Sequence, residues 1–148
     1  MAGKKEDKDL LAMCGEYAVA SELCKNGFNA SITYGNAKAV DICVFDNKTS
    51  TFKRIEVKTS RSKRFVTGFF QKYYLENSGK THPDYWIIVH IDDNNQNHFY
   101  VLTHKEMAKA QMERNRLTEW PVEKPDGVDN VELDNISMHE NQFDKIKF

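Results

Sequence analysis

The chain has 148 residues, of which 40% are hydrophobic and 11% aromatic, and a formal net charge of -1; this is the size of one domain with its own core and excludes wholesale disorder. No apolar run approaches the roughly 20 residues of a membrane-spanning helix, the charged N-terminus has no signal-peptide stretch behind it, and Cys14, Cys24 and Cys43 lack zinc-finger spacing. The expectation is a single domain over residues 1–148, cytoplasmic and without a membrane partner, with the cysteines as small core hydrophobes and an acidic C-terminal extension from about residue 119.

Asp9 can cap a helix over residues 10–26, which Asn26-Gly27 would stop. Glu16 sits among Ala12, Met13, Val19, Ala20 and Leu23 at helical spacing, so it is either a snorkelling boundary residue or part of a site. Residues 28–34 read as a strand ended by Tyr34-Gly35-Asn36, and residues 39–45 as a second, with Val40, Ile42 and Val44 on one face and Asp41 on the other. After a turn at residues 46–50, a third strand covers residues 51–59. It puts Ile55 and Val57 on one side and Arg54, Glu56 and Lys58 on the other. Residues 60–80 read as loop plus short helix, whose aromatic residues either seal the core or stack on bases. The run from Asp84 to Ile91 suits a central strand covered on both faces, with His90 a structural residue. A hairpin loop, a strand over residues 98–102 and a helix from the Thr103 to Glu106 capping box to about residue 116 follow. In the tail, Val128, Val131, Leu133 and Ile136 offer a short strand, and Phe143, Ile146 and Phe148 a terminal anchor.

The chemistry concentrates in one place. Acid, any residue, lysine occurs as Glu6-Asp7-Lys8, Asp46-Asn47-Lys48 and Glu56-Val57-Lys58, but only the last lies in an alternating strand with a strand-embedded acid, Asp41, fourteen residues upstream. Side chains two apart in a strand are separated by roughly 6.6 Å, so Glu56 and Lys58 can reach one small site. Between Lys53 and Lys72 there are seven cations and one acid, whereas eight acids and three lysines lie from Glu119 onward. A basic block is a solvated surface or a phosphate-facing one, and its start at the candidate site adds weight to the second.

The segments Gly15 to Leu23, Asn26-Gly27-Phe28, Val40-Asp41-Ile42 and Ile55-Glu56-Val57-Lys58-Thr59-Ser60 are similar in order and spacing to the smaller members of the PD-(D/E)XK nuclease superfamily. Val40 stands where the family name has proline. The resemblance covers about a third of the chain. It implies an α/β, restriction endonuclease-like fold with a central mixed sheet of four to five strands flanked by helices. It further implies a metal-dependent endonuclease that hydrolyses phosphodiester bonds, with DNA the expected partner and Mg2+ the cofactor, for which Mn2+ can substitute. Asp41, Glu56 and the Val57 backbone carbonyl would hold the ion, Lys58 would orient or help deprotonate the attacking water, and Glu16 would bind a second metal or hold a water. Ser60, Arg61, Lys63 and Arg64 are candidates for phosphate contact, and Tyr34 and Lys38 weaker ones. By analogy with the family, symmetrical cutting of two strands would favour a homodimer.

A competing reading is a module that keeps the nuclease-like fold and binds nucleic acid or protein without turnover, motivated by the small size of the chain. A third is an interaction protein in which the motif is coincidental, and it requires Glu16, Asp41, Glu56 and Lys58 to be dispersed in space.

Overall fold

The computed structural model describes residues 7–33, 40–73, 82–121, 123 and 125–148. The first helix, α1 (Lys8–Lys25), begins two residues earlier than Asp9 would have set it. Asp7 is the cap, its carboxylate accepting the N–H groups of Asp9 and Leu10. Strands β1 (Asn29–Ile32), β2 (Ile42–Asp46) and β3 (Thr51–Ser60) form an antiparallel meander, and β5 (Tyr85–Ile91) and β6 (Asn97–Thr103) a hairpin.

The two units join where β3 pairs parallel with β5, giving a mixed five-stranded sheet of order β1-β2-β3-β5-β6. A parallel pair needs a crossover. It is supplied by β4 (Arg64–Val66) and α2 (Phe69–Tyr73), so the region read as loop plus short helix also contains a strand. That strand pairs antiparallel with β7 (Asn130–Glu132) as a second, two-stranded sheet. The Asp84 carboxylate accepts the Arg54 N–H at 2.8 Å and its own N–H reaches the Arg54 carbonyl at 2.9 Å, fixing the register at which β5 enters beside β3.

Strand parity sorts the core into two layers. On one face, Ile42, Val44, Ile55, Val57, Ile87 and Val89 pack under Val19 and Leu23 of α1, closed by Phe143 and Ile146. On the other, Trp86, Ile88, Tyr100 and Leu102 meet Phe65, Phe69 and Phe70 of the crossover, Met107 and Ala110 of α3 (His104–Arg114), and Val131 and Ile136. The aromatics of the crossover therefore seal the core.

The acidic tail is woven into this architecture. Of the short strand expected from Val128, Val131, Leu133 and Ile136, only β7 forms; α4 (Leu133–Ile136) follows it, and then two short turns of tighter helix at Ser137–His139 and Phe143–Lys145. Phe143 and Ile146 anchor the end, whereas Phe148 is exposed. The cysteines are not core residues: Cys14 and Cys24 are exposed on α1 and Cys43 is half-buried. Apolar neighbours along a helix do not tell which face a residue occupies, and both positions point away from the sheet. Among the described residues no helix is long and apolar enough to cross a membrane.

Candidate functional site

The third reading fails on geometry, because the structure brings Glu16, Asp41, Glu56 and Lys58 together from three segments. Asp41 stands one residue before β2, directly across from Glu56 when the β2–β3 pairing is continued by one position, and its N–H bonds the Ile55 carbonyl at 3.2 Å. Thr33, at the end of β1, secures this approach: its N–H bonds the Asp41 carbonyl at 3.0 Å, and its hydroxyl donates to the carbonyls of Val40 and Asp41. Asp41 Oδ2 in turn accepts the Val57 N–H at 2.8 Å, so the side chain occupies the pairing position that β2 leaves open by ending. In an extended strand the N–H and C=O of one residue point to the same edge. The Val57 carbonyl is thus directed to the side on which Asp41 lies.

Glu56 shares a face with Trp86 and is buried, 6% exposed, an unusual state for a carboxylate without partners. Its partners are ammonium groups: Lys58 Nζ lies 3.3 Å from Glu56 Oε1, and Lys72 Nζ, from α2, lies 3.5 Å from the same oxygen. Stripping a buried carboxylate of its counter-charges costs about 3–5 kcal/mol. The Tyr73 hydroxyl, pushed up to about 12 by burial and then by the Glu56 charge, remains a phenol donor beside this group.

Glu16 completes the cluster from α1. Its pKa is raised by burial, then by the Asp41 charge and a hydrogen bond with the Asp41 carboxyl, and by Glu56. Asp41 is raised as well, by burial and then by repulsion from Glu56, against the lowering effects of the Val57 N–H, Lys58 and Lys72. The apolar surroundings of Glu16 in the sequence thus reflect a helix face turned to the sheet. Gly15, the preceding residue, makes that approach possible: a Cβ there would fall 1.7 Å from Thr59 Oγ1 and 2.8 Å from Thr59 Cβ.

The donors gathered here are all oxygens, and three carboxylates held together against their repulsion are what a divalent cation relieves. Among the described residues no group of three or more His, Cys, Asp and Glu side chains stands at metal-holding distance. The groups at this point that could hold an ion are Asp41, Glu56 and the Val57 carbonyl. Magnesium, which keeps several waters and shares its shell with substrate phosphates, fits such a set.

The basic candidates occupy different places. A groove of about 360 Å³ beside Lys58 is lined by Lys8 and Leu11 of α1 and by Ser60, Arg64 and Val66. A second, open groove of about 360 Å³ continues past Arg64 to Lys63 and Glu132. Arg64 reaches Glu132 at 3.4 Å, and Arg61 donates to Asn95 Oδ1 at 2.8 Å, away from the grooves. Ser60 Oγ bonds Ser62 Oγ at 3.0 Å within the turn before β4. Tyr34 and Lys38 lie outside the described residues.

Lys72, Tyr73 and Lys8 escaped the reading of the sequence as site residues. The only signals were the place of Lys72 at the end of the basic block, beside Tyr73 on the aromatic helix, and that of Lys8 next to a helix cap.

No protein-family model matches the chain, and no curated protein matches it. Among solved structures it is similar to a bacterial homing endonuclease, with a TM-score of 0.49 and 11% sequence identity over 68% of each chain.

Proposed function

We propose that this chain is a metal-dependent endonuclease of the PD-(D/E)XK type that hydrolyses phosphodiester bonds in DNA, with Mg2+ as its ion and Mn2+ as a substitute. The observation that carries this reading is the convergence of Glu16, Asp41, Glu56 and Lys58 from α1, the start of β2 and β3 around one half-buried point. A fold kept only for binding would have no need to hold three carboxylates together at that cost.

The charges suit the task. Fully ionised, the three carboxylates Glu16, Asp41 and Glu56 set against the two ammonium groups Lys58 and Lys72 leave one negative charge. A divalent ion turns this into one positive charge, the complement of a phosphodiester. Asp41, Glu56 and the Val57 carbonyl would hold the ion, which when bound supplies Lewis acidity at the phosphoryl group and counter-charge for the departing alkoxide.

The chain's own groups do the rest. Lys58 Nζ, steadied by Glu56 Oε1, orients the water that attacks phosphorus. Attack forms one P–O bond, breaks the bond to the leaving oxygen and releases a proton. Glu16, beside Asp41 at the same point, takes that proton. Lys8 and Arg64 around the adjoining groove receive the flanking phosphates, which gives affinity without base readout.

The test is cleavage of duplex, branched and single-stranded DNA and of RNA by the purified protein with Mg2+ or Mn2+. Cutting of DNA that is lost with EDTA, and lost in Asp41→Asn and Glu56→Gln, is the expected result. No cleavage of any of these substrates, or cleavage unchanged in both variants, refutes the proposal.

A further inference from the structure

α2 is five residues long, too short to hold itself as a helix. It is held by the tail. The Asp129 carboxylate accepts the N–H groups of Phe70 at 2.7 Å and Gln71 at 3.1 Å, while the Asp129 carbonyl accepts those of Thr67 at 3.0 Å and Gly68 at 3.3 Å. Gly68, at φ +65°, makes the turn into the helix that a side chain would strain. Asp129 immediately precedes β7, and β7 is itself paired to β4. A residue of the acidic tail thus fixes both the start and the direction of the element that carries Lys72.

Lys72 uses that platform to set a second ammonium group on Glu56 Oε1, where Lys58 already lies. For neutralising Glu56 alone, one would be enough. Its effect shows in the charge of the cluster: without Lys72 the three carboxylates would face one ammonium group, and a divalent ion would bring the site only to neutrality. Such a site would bind the ion more tightly and the phosphodiester anion less well.

We infer that Lys72, placed by Asp129, is a positioning residue that holds Glu56 and lowers the affinity of the site for a divalent ion while raising it for the substrate anion. This rests on the metal-dependent reading above.

The experiment measures Mn2+ affinity of the full chain by calorimetric titration, and affinity for an uncleaved DNA oligonucleotide in Ca2+, for wild type, Lys72→Met, Lys72→Arg and Asp129→Asn. An ion pair of this exposure amounts to about 0.5–1 kcal/mol. Lys72→Met should therefore bind Mn2+ about two- to fivefold more tightly and the oligonucleotide more weakly, with kcat reduced. Lys72→Arg should restore both affinities, and Asp129→Asn should shift them as Lys72→Met does, by less. Opposite movements of the two affinities are not what simple loss of structure produces. Should Lys72→Met fail to fold, Asp129→Asn carries the same comparison, with Lys72→Arg as the variant that keeps the charge. Mn2+ affinity that is unchanged or weaker when Lys72 is removed or released overturns the inference alone; a wild-type chain that takes up no Mn2+ overturns the metal reading beneath it.

Discussion

Replacing Gly15 with alanine is the substitution for which general helix chemistry and this structure predict opposite signs. In a helix interior, alanine is favoured over glycine by about 1 kcal/mol. Here the new Cβ would lie 1.7 Å from Thr59 Oγ1, 2.8 Å from Thr59 Cβ and 3.1 Å from Thr59 Cγ2. Rotating the threonine moves its hydroxyl but leaves its Cβ where it is, so α1 must lift away from β3. Overpacking of this kind costs about 1–3 kcal/mol and outweighs the propensity gain, for a net loss of about 1 kcal/mol. Activity suffers more, because Glu16 is the next residue and a misplacement of about 1 Å can cost on the order of 100-fold in rate. Urea unfolding and cleavage rates of Gly15→Ala, Thr59→Ala and the double variant test this. The account expects both losses in Gly15→Ala and partial recovery of both in the double variant. A Gly15→Ala protein more stable than wild type and equally active would refute the close approach of α1 to β3.

Asp41→Asn should abolish cleavage yet raise the melting temperature measured in EDTA at neutral pH. A carboxyl whose pKa is raised on folding binds its proton more tightly in the native state, so its cost to stability grows as pH rises above the unfolded value of 3.8, and the amide removes that cost. His104 gives the reverse case. Burial first and then the stacked His82 hold it down to about 4, and it accepts the Trp86 indole N–H at 3.1 Å. Between about 6.5 and 4 the unfolded chain binds the extra proton, so this contribution is full above 6.5 and is lost as pH falls to 4. With allowance for its partial exposure it is about 1–2 kcal/mol. Unfolding free energies of His104→Gln, which keeps an acceptor but does not titrate, should fall less steeply over that window; an unchanged slope counts against the assignment.

Strand parity carried most of the site into view before any coordinates. Alternation alone places Glu56 and Lys58 on one face of their strand and Asp41 on the polar side of its own, while Glu16 stood among apolar residues as either a boundary residue or part of a site. The remaining parts depended on contacts distant in the chain. β4 is three residues long and exists because β7 pairs with it, so no local pattern could announce it. Lys72 enters the site only because Asp129 anchors α2. The tail looked like an appendage because its acids dominate its composition, yet Val131, Ile136, Phe143 and Ile146 are buried in the two layers of the core. Asp7 and Asp9 are equivalent as capping residues, and only backbone geometry chooses Asp7.

The most direct test of the central claim is the anomalous difference density of crystals grown with Mn2+. The account predicts an ion between Asp41 and Glu56, within about 2.0–2.6 Å of a carboxylate oxygen of each and of the Val57 carbonyl oxygen. Well-ordered Asp41 and Glu56 with no ion between them at saturating Mn2+, or ions bound only elsewhere on the surface, would contradict it.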